Sequence, residues 1–303
     1  MAATTTPAGF SAMPCSSCNC SSAPLTVADF DAFFRGGLWC CRFCGQTLSL
    51  WRLVRAAVGS AHTLLPGAVA IGAARSSFGT MVLKRDELAV LDVGSLGVPP
   101  DAKILGVFLT PVGGGENDGH LVPAITAQSF TRAPVPHQLH FHGYPILGGS
   151  DATDVSVLCN WMAPTGDPEL VPLWSAIEAY SSGAYQEAIV PAAVAVEYKL
   201  ASVLRAYFKQ FAGEGRVDDF LQNGVTFSYQ LNPLLPAVMH GVGAPKLRDE
   251  VANKLSWLRG KRNKVAHKHE AVTQDEAADA VVAALFGYQY LALYGPLPAK
   301  ASP

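Results

Sequence analysis

At 303 residues the chain is long enough for two domains, or for one domain with a small accessory module. Half of its residues are apolar, 15% are charged and the formal net charge is -2, which excludes a disordered chain. The same balance excludes a protein drawn to nucleic acid by its overall charge, so any such binding requires a local basic patch.

Residues 1–14 are rich in Ala, Thr and Pro and are expected to be disordered. No early stretch combines a basic start, a hydrophobic run and a cleavage site, so a cytoplasmic protein is expected. Residues 15–66 form a cysteine module that runs into a short helix, Thr47 to Val58, with Leu50, Leu53 and Val54 along one side. The most apolar window, Leu53 to Ala74, contains Arg55 and His62 and is broken by Pro66 and Gly67. It does not read as a membrane span.

Residues 67–165 change character. Short β-rich stretches, Thr80–Leu83, Leu88–Val93, Lys103–Leu109, Gln138–Phe141 and Val155–Asn160, are punctuated by Gly and Pro, which predicts an antiparallel sandwich-like domain. From residue 169 to 295 the period becomes helical. Leu170–Ala179 reads as a short helix, and Tyr185–Phe211 as a long one, with Ile189, Ala193, Val196, Leu200, Val203 and Leu204 on one face. Val217–Leu221 and Thr226–Met239 are shorter candidates, and Lys246–His267 follows a Gly-Ala-Pro turn. Thr273 with Glu276 three residues on predicts a capping box for a final helix through Ala277, Val281, Leu285, Tyr288 and Leu291. Pro191 and Gly287 sit awkwardly inside their helices. The fold class expected is therefore α+β and multidomain: a cysteine module, a β-sandwich-like centre and an all-α bundle.

Six of the seven cysteines lie between Cys15 and Cys44. Two Cys-x-x-Cys pairs about 20 residues apart are the spacing of a structural zinc site, each pair giving two ligands from one tight turn. Cys15, Cys18, Cys41 and Cys44 are the preferred ligands, with Cys20 and Cys40 as alternatives. No strand-then-helix context of the thioredoxin kind supports a redox role. The basic residues in or near the module, Arg35, Arg42, Arg52 and Arg55, fit packing as well as nucleic-acid contact. His137, His140 and His142 form a second cluster but lack a nearby carboxylate or cysteine, so they are read as surface or packing residues. Gly113–Gly115 lacks the Lys-Ser/Thr of a phosphate loop and is read as a turn. With no recognisable active site, the central segment is expected to meet a regulatory protein or ligand.

The densest positive patch is Arg259, Lys261, Arg262, Lys264, Lys268 and His269, around Asn263 and His267. On a helix Asn263 and His267, four apart, stack on one face, and Arg262 lies one position round. A histidine titrating near neutrality can take a proton from a ribose 2'-hydroxyl or give one to a leaving oxygen. Arginine can hold a phosphate through two parallel hydrogen bonds, and asparagine can orient either group. No carboxylate cluster stands beside them, so a two-metal mechanism is not indicated. Basic residues near a helix C-terminus also complement the backbone dipole, which is the plain structural reading of the same residues.

Residues from about Leu170 to Tyr294 resemble the HEPN superfamily of helical domains. The family signature Arg-x(4–6)-His, usually with a polar residue after the Arg, is matched by Arg262-Asn263-Lys264-Val265-Ala266-His267. The stretch Gly183-Ala-Tyr185-Gln-Glu-Ala188-Ile189, continuing to Glu197-Tyr-Lys-Leu200, is similar to the family's first long helix, and Thr273-x-x-Glu276 opens a final helix as in many members. The resemblance implies a metal-independent endoribonuclease, a toxin or antiviral effector, whose composite cleft forms in a homodimer or higher even oligomer. It implies Arg262 on the scissile phosphate, His267 as general base or acid, and Asn263 in support. Products would carry 2',3'-cyclic phosphate and 5'-hydroxyl ends. Arg259, Lys261, Lys264 and Lys268 are the expected RNA contacts, and Glu197 is a candidate to orient Arg262 or Lys199. Some members have lost catalysis, so a non-catalytic dimerisation or RNA- or protein-binding module is the alternative.

Overall fold

The computed structural model describes residues 5–7, 15, 17–18, 26–41, 43–60, 74–112, 121–125, 138–145, 151–162 and 168–295. The chain divides into two compact units, one of Met1–Ser11 with Gly72–Pro164 and one of Ala12–Ile71 with Thr165–Pro303.

The first unit is the antiparallel β region. Strands β1 (Thr5–Pro7), β4 (Ala74–Lys84), β6 (Lys103–Pro111) and β9 (Ala152–Met162) form a sheet in the order β1-β4-β9-β6. Strands β5 (Leu88–Asp92), β7 (Leu121–Ile125) and β8 (Gln138–Pro145) form a second in the order β5-β8-β7. All pairs are antiparallel. The alternation in β9 drives this arrangement: Thr153, Val155, Val157 and Cys159 are buried while Asp154 and Ser156 are exposed. Val155, Val157 and Cys159 join Leu83 of β4, Val107 of β6, Leu91 of β5 and Leu139 and Phe141 of β8 in a single core fed by both sheets. Where the alternation stops, the buried polar groups are satisfied. Ser76 Oγ donates to Asn160 Oδ1 at 2.7 Å, and Trp161 Nε1 donates to Ser77 Oγ at 3.0 Å. Four of the five β-rich stretches read from sequence fall inside β4, β6, β8 and β9, and the fifth, Leu88–Val93, overruns β5 by one residue into a 3-10 turn, Val93–Leu96. Strand β7 carried no such signal. Strand β1 lies in the stretch read as disordered and pairs with the Arg75–Ser77 end of β4. Gly113–Gly115 lies outside the described residues.

The second unit contains both the cysteine module and the helices. Its elements are α1 (Val27–Phe34), β2 (Trp39–Cys40), β3 (Thr47–Leu48), α2 (Leu50–Ser60), α3 (Leu170–Ser181), α4 (Tyr185–Phe208), α5 (Glu214–Asp219), α6 (Phe227–Tyr229), α7 (Leu235–Gly241), α8 (Asp249–Lys268) and α9 (Gln274–Tyr294). Single π-helical turns, Phe220–Gly224 and Gln230–Leu234, flank α6. The Thr273–Glu276 capping box forms at the start of α9, with each partner bonded to the other's backbone N–H. Helix α1 opens on a second box, Thr26 with Asp29, that the sequence reading passed over.

Helix α9 is the axis of this unit, and nearly every residue from Ala277 to Leu291 is buried. It is long and apolar enough to cross a membrane, but 78% of its most apolar window is buried inside the structure. Gly287 has a packing reason there. A Cβ on it would meet Leu255 Cδ2 of α8 at 3.0 Å and Val196 Cγ1 of α4 at 3.4 Å, so the glycine lets three helices close on one another. Pro191 falls in the second turn of α4.

The cysteine module is welded to α9. Phe286 meets the rings of Phe30, Phe33 and Trp51 at centroid distances of 5.3, 5.0 and 4.8 Å. Arg55 donates to Asp279 at 2.5 Å and to Asp275 at 2.8 Å, and Tyr294 donates to Asp31 at 2.6 Å. Arg248, leading into α8, stacks 4.2 Å above the Phe33 ring and donates to the Phe33 carbonyl. Arg55 is thus a packing residue, and Arg35 is held by Asp31 within α1. Arg42 lies outside the described residues.

Candidate functional site

Two constellations stand out in the second unit. The first is built by the β2–β3 hairpin. Cys41 leaves β2, its N–H donating to the Gln46 carbonyl at 2.9 Å, and the chain reverses so that the Gly45 N–H donates to the Cys41 carbonyl at 2.9 Å. That reversal requires the left-handed conformation of Gly45, at φ +71°. Cys41 and Cys44 then point one way, while Cys40, adjacent on the strand, points the other. It is exposed and donates to the Gly45 carbonyl at 3.4 Å. Cys15 and Cys18 supply the facing pair, and the four sulfurs lie within 4.8 Å of one another.

The Cys15–Cys44 and Cys18–Cys41 sulfur pairs are each 3.8 Å apart, far beyond a disulfide. A tetrahedral thiolate site with metal–sulfur bonds of about 2.3 Å spaces its sulfurs about 3.8 Å apart, so the cluster has the dimensions to coordinate a metal ion. Backbone N–H groups prepare it. Those of Ser17 and Cys18 lower the Cys15 thiol to about 6, and that of Cys44 lowers the Cys41 thiol, in both cases against the opposing effect of burial. The structure therefore gathers Cys15, Cys18, Cys41 and Cys44 and rejects Cys40; Cys20 lies outside the described residues. No second cluster of this kind occurs among the described residues. His140 is half-buried on β8 opposite Val90, and His137 and the His142 side chain lie outside the described residues.

The second constellation is a cleft of about 490 Å³. Helix α4 contributes Glu197 and Tyr198, α8 contributes Arg259, Arg262 and Asn263, and the segment between them contributes Phe227 and Gln230. Arg262 Nη1 donates to Asn263 Oδ1 at 3.0 Å, while its Nε is buried without a hydrogen-bond partner. Glu197 sits in the field of Arg262 and Arg259. Burial raises its carboxyl above the usual range, and the two arginines oppose that shift. Of the two partners considered for Glu197, Lys199 is paired with Glu169 at 2.6 Å, and Arg262 lines the same cleft and acts on Glu197 through its charge. The Gln230 amide is buried and its Nε2 donates to the Leu221 carbonyl at 2.9 Å, tying together the two π-helical turns at the cleft wall. Such turns recur at functional sites.

The remaining basic residues scatter. Lys264 and Lys268 are exposed, and Lys264 leans toward Glu270 at 3.8 Å. Lys261, expected on the substrate, is instead 6% exposed and donates to Glu270 at 2.8 Å and Glu276 at 2.7 Å. Its charge is neutralised internally and joins the end of α8 to the start of α9. His267 is exposed in the last turn of α8 and is not part of the cleft lining. His267 shares the side of α8 that carries Asn263 but lies one turn further along the axis, beyond the stretch from Arg259 to Asn263 that lines the cleft. Tyr198, Phe227 and Gln230 were not found from sequence, since they lie 29 or more residues from the arginines they join.

The chain matches no protein-family model, no curated protein and no solved structure.

Proposed function

We propose that the chain is a metal-independent endoribonuclease of the HEPN type, acting in the cytoplasm as an antiviral defence or toxin effector. The observation that carries this reading is the placement of Arg262 and Asn263 at the cationic cleft, with His267 exposed one turn further along the same helix. Arg262 holds the scissile phosphate and offsets the charge that builds on its oxygens. A His267 imidazole takes the proton from the 2'-hydroxyl, the 2'-oxygen attacks phosphorus, and the 5'-oxygen leaves with a proton from a second imidazole. The products are a 2',3'-cyclic phosphate and a 5'-hydroxyl. Because His267 stands outside its own chain's cleft, the reading requires a homodimer or higher even oligomer that brings a second His267 to Arg262.

The thiolate cluster is read as a structural zinc site and the β unit as the part that meets a regulatory protein or ligand. The competing reading is a non-catalytic RNA- or protein-binding module, favoured by the same exposure of His267 away from the cleft. The two separate on total RNA and tRNA incubated in EDTA with the wild-type and His267→Ala proteins. Cleavage by the wild type alone, leaving cyclic-phosphate ends, is the expected result. RNA retained uncut by both proteins would overturn the nuclease in favour of the binding module.

A further inference from the structure

We propose that the cleft between α4 and α8 is a subsite for a single unstacked nucleotide, its base on Tyr198 and Phe227 and its phosphate on Arg259 and Arg262. The proposal rests on the RNA reading of α8 and names what that reading leaves open, the form of nucleic acid that fits. The argument begins with Tyr198. Its side chain is 58% exposed on α4 yet lines a concavity, where an aromatic face beside a guanidinium is a platform for a flat ring. Phe227 enters the same concavity from α6. At about 490 Å³ the cleft falls within the roughly 300–1,000 Å³ range of small-molecule sites.

The polar lining matches the rest of a nucleotide. Arg262 gives one Nη1 donor to Asn263 and lines the cleft beside Arg259, so two guanidinium groups stand where an oxyanion can be held; the Arg262 Nε is buried behind them without a partner. Glu197 is the one carboxylate in the lining, and against Arg259 and Arg262 it leaves the cleft a net single positive charge. Asn263 and the exposed Gln222 place amide groups where a base edge can be read. Gln230 is fixed by its bond to the Leu221 carbonyl, so the wall is pre-organised. A duplex cannot use this platform, because its bases are already stacked on each other. The shared ligand chemistry is thus a phosphate with one free base face, from an unpaired RNA residue or a free mononucleotide.

The test uses the full chain carrying His267→Ala, so that bound RNA is not consumed. Its affinity is measured by anisotropy for a short fluorescein-labelled oligouridylate, for the same strand in a blunt duplex, and in competition with UMP and ribose 5-phosphate. The single strand is expected to bind more tightly than the duplex. Tyr198→Ala is expected to weaken single-strand binding at least about fivefold, with the duplex unchanged. Tyr198→Phe, which keeps the ring, is expected to stay within about twofold. Displacement by UMP and not by ribose 5-phosphate would make the free nucleotide a ligand in its own right. Binding that UMP does not displace would assign the subsite to RNA alone. Equal affinity for duplex and single strand, no effect of Tyr198→Ala, or no binding at all would overturn the proposal. Failure of the nuclease reading is seen separately, as absence of cleavage by the wild type.

Discussion

Replacing Phe286 by Ala tests whether the cysteine module and the helical bundle share one core. The Phe286 ring is fully buried, and edge-on or tilted contacts join it to Phe30, Phe33 and Trp51 of the module, with Phe34 at 6.4 Å. A core Phe→Ala change costs about 3–5 kcal/mol, and loss of several aromatic contacts at once places this one near about 4 kcal/mol. The second unit spans about 200 residues. For that size about 4 kcal/mol lowers a thermal midpoint by roughly 10 °C, and a urea midpoint by about 2 M at a slope near 2 kcal/mol/M. Helical ellipticity and tryptophan fluorescence, followed together in urea, should move by the same amount. Phe286→Leu, which keeps most of the volume, should cost less than about 1.5 kcal/mol. A shift under about 1 kcal/mol for the Ala protein would refute the shared core. So would an early loss of the module while the helices keep their midpoint.

Zinc content and internal charge give two further tests. On the proposed zinc reading, atomic emission should find about one equivalent of zinc in the wild type, Cys18→Ser or Cys41→Ser should abolish it and lower the thermal midpoint, and Cys40→Ser should retain both. Loss of zinc in the Cys40→Ser protein would overturn the ligand assignment. Lys261→Met should lower the midpoint by a few degrees at pH 7, because Glu270 and Glu276 then lose the buried cation they share and only the exposed Lys264, 3.8 Å from Glu270, stands by. The bonds to Lys261 hold both carboxyls below the usual range, so their contribution is present above the ordinary carboxylate pKa of about 4.3 and is lost as pH falls through the depressed values. The gap between wild type and variant should therefore close in acid. A gap that stays constant to pH 3 would show that the loss comes from packing and not from charge.

Features written in a few neighbouring residues were legible in the sequence. The Thr273–Glu276 box, the β-rich stretch Val155–Asn160 and the two Cys-x-x-Cys pairs are each written in a few neighbouring residues, and each stands in the structure as read. The preference for Cys41 over Cys40 followed from its Cys-x-x-Cys spacing to Cys44, and the structure adds the reason, since the Cys41 face of β2 is the one that meets Cys15 and Cys18. Helix α1 was missed although Thr26 and Asp29 announce it. Its Phe30, Phe33 and Phe34 stand at the helical i, i+3, i+4 spacing, but eight residues hold only one such set, and what the three rings pack against is Phe286, about 250 positions away.

Helix α8 shows most clearly why a run of like residues in sequence misleads about a site. Read as a string, Arg259 to Lys268 is one basic patch. Wound at 3.6 residues per turn it separates into three faces. Val251, Leu255, Leu258 and Val265 form the buried stripe at three-, four- and seven-residue steps, and Lys261 sits in the gap of that stripe, three beyond Leu258 and four before Val265. Its burial could therefore have been inferred from spacing, had its charge not argued for solvent; Glu270 and Glu276 are what make the inward position tolerable. Arg259, Arg262 and Asn263, at steps of three and four, form the cleft face. Lys264, His267 and Lys268 are left to solvent. Arg262 lines the cleft while His267, a turn beyond Asn263 on the same side of the helix, does not, so the two are not gathered at one cleft within this chain. The proposed chemistry demands a second helix of the same kind, and assembly is a condition of the nuclease reading and not an addition to it.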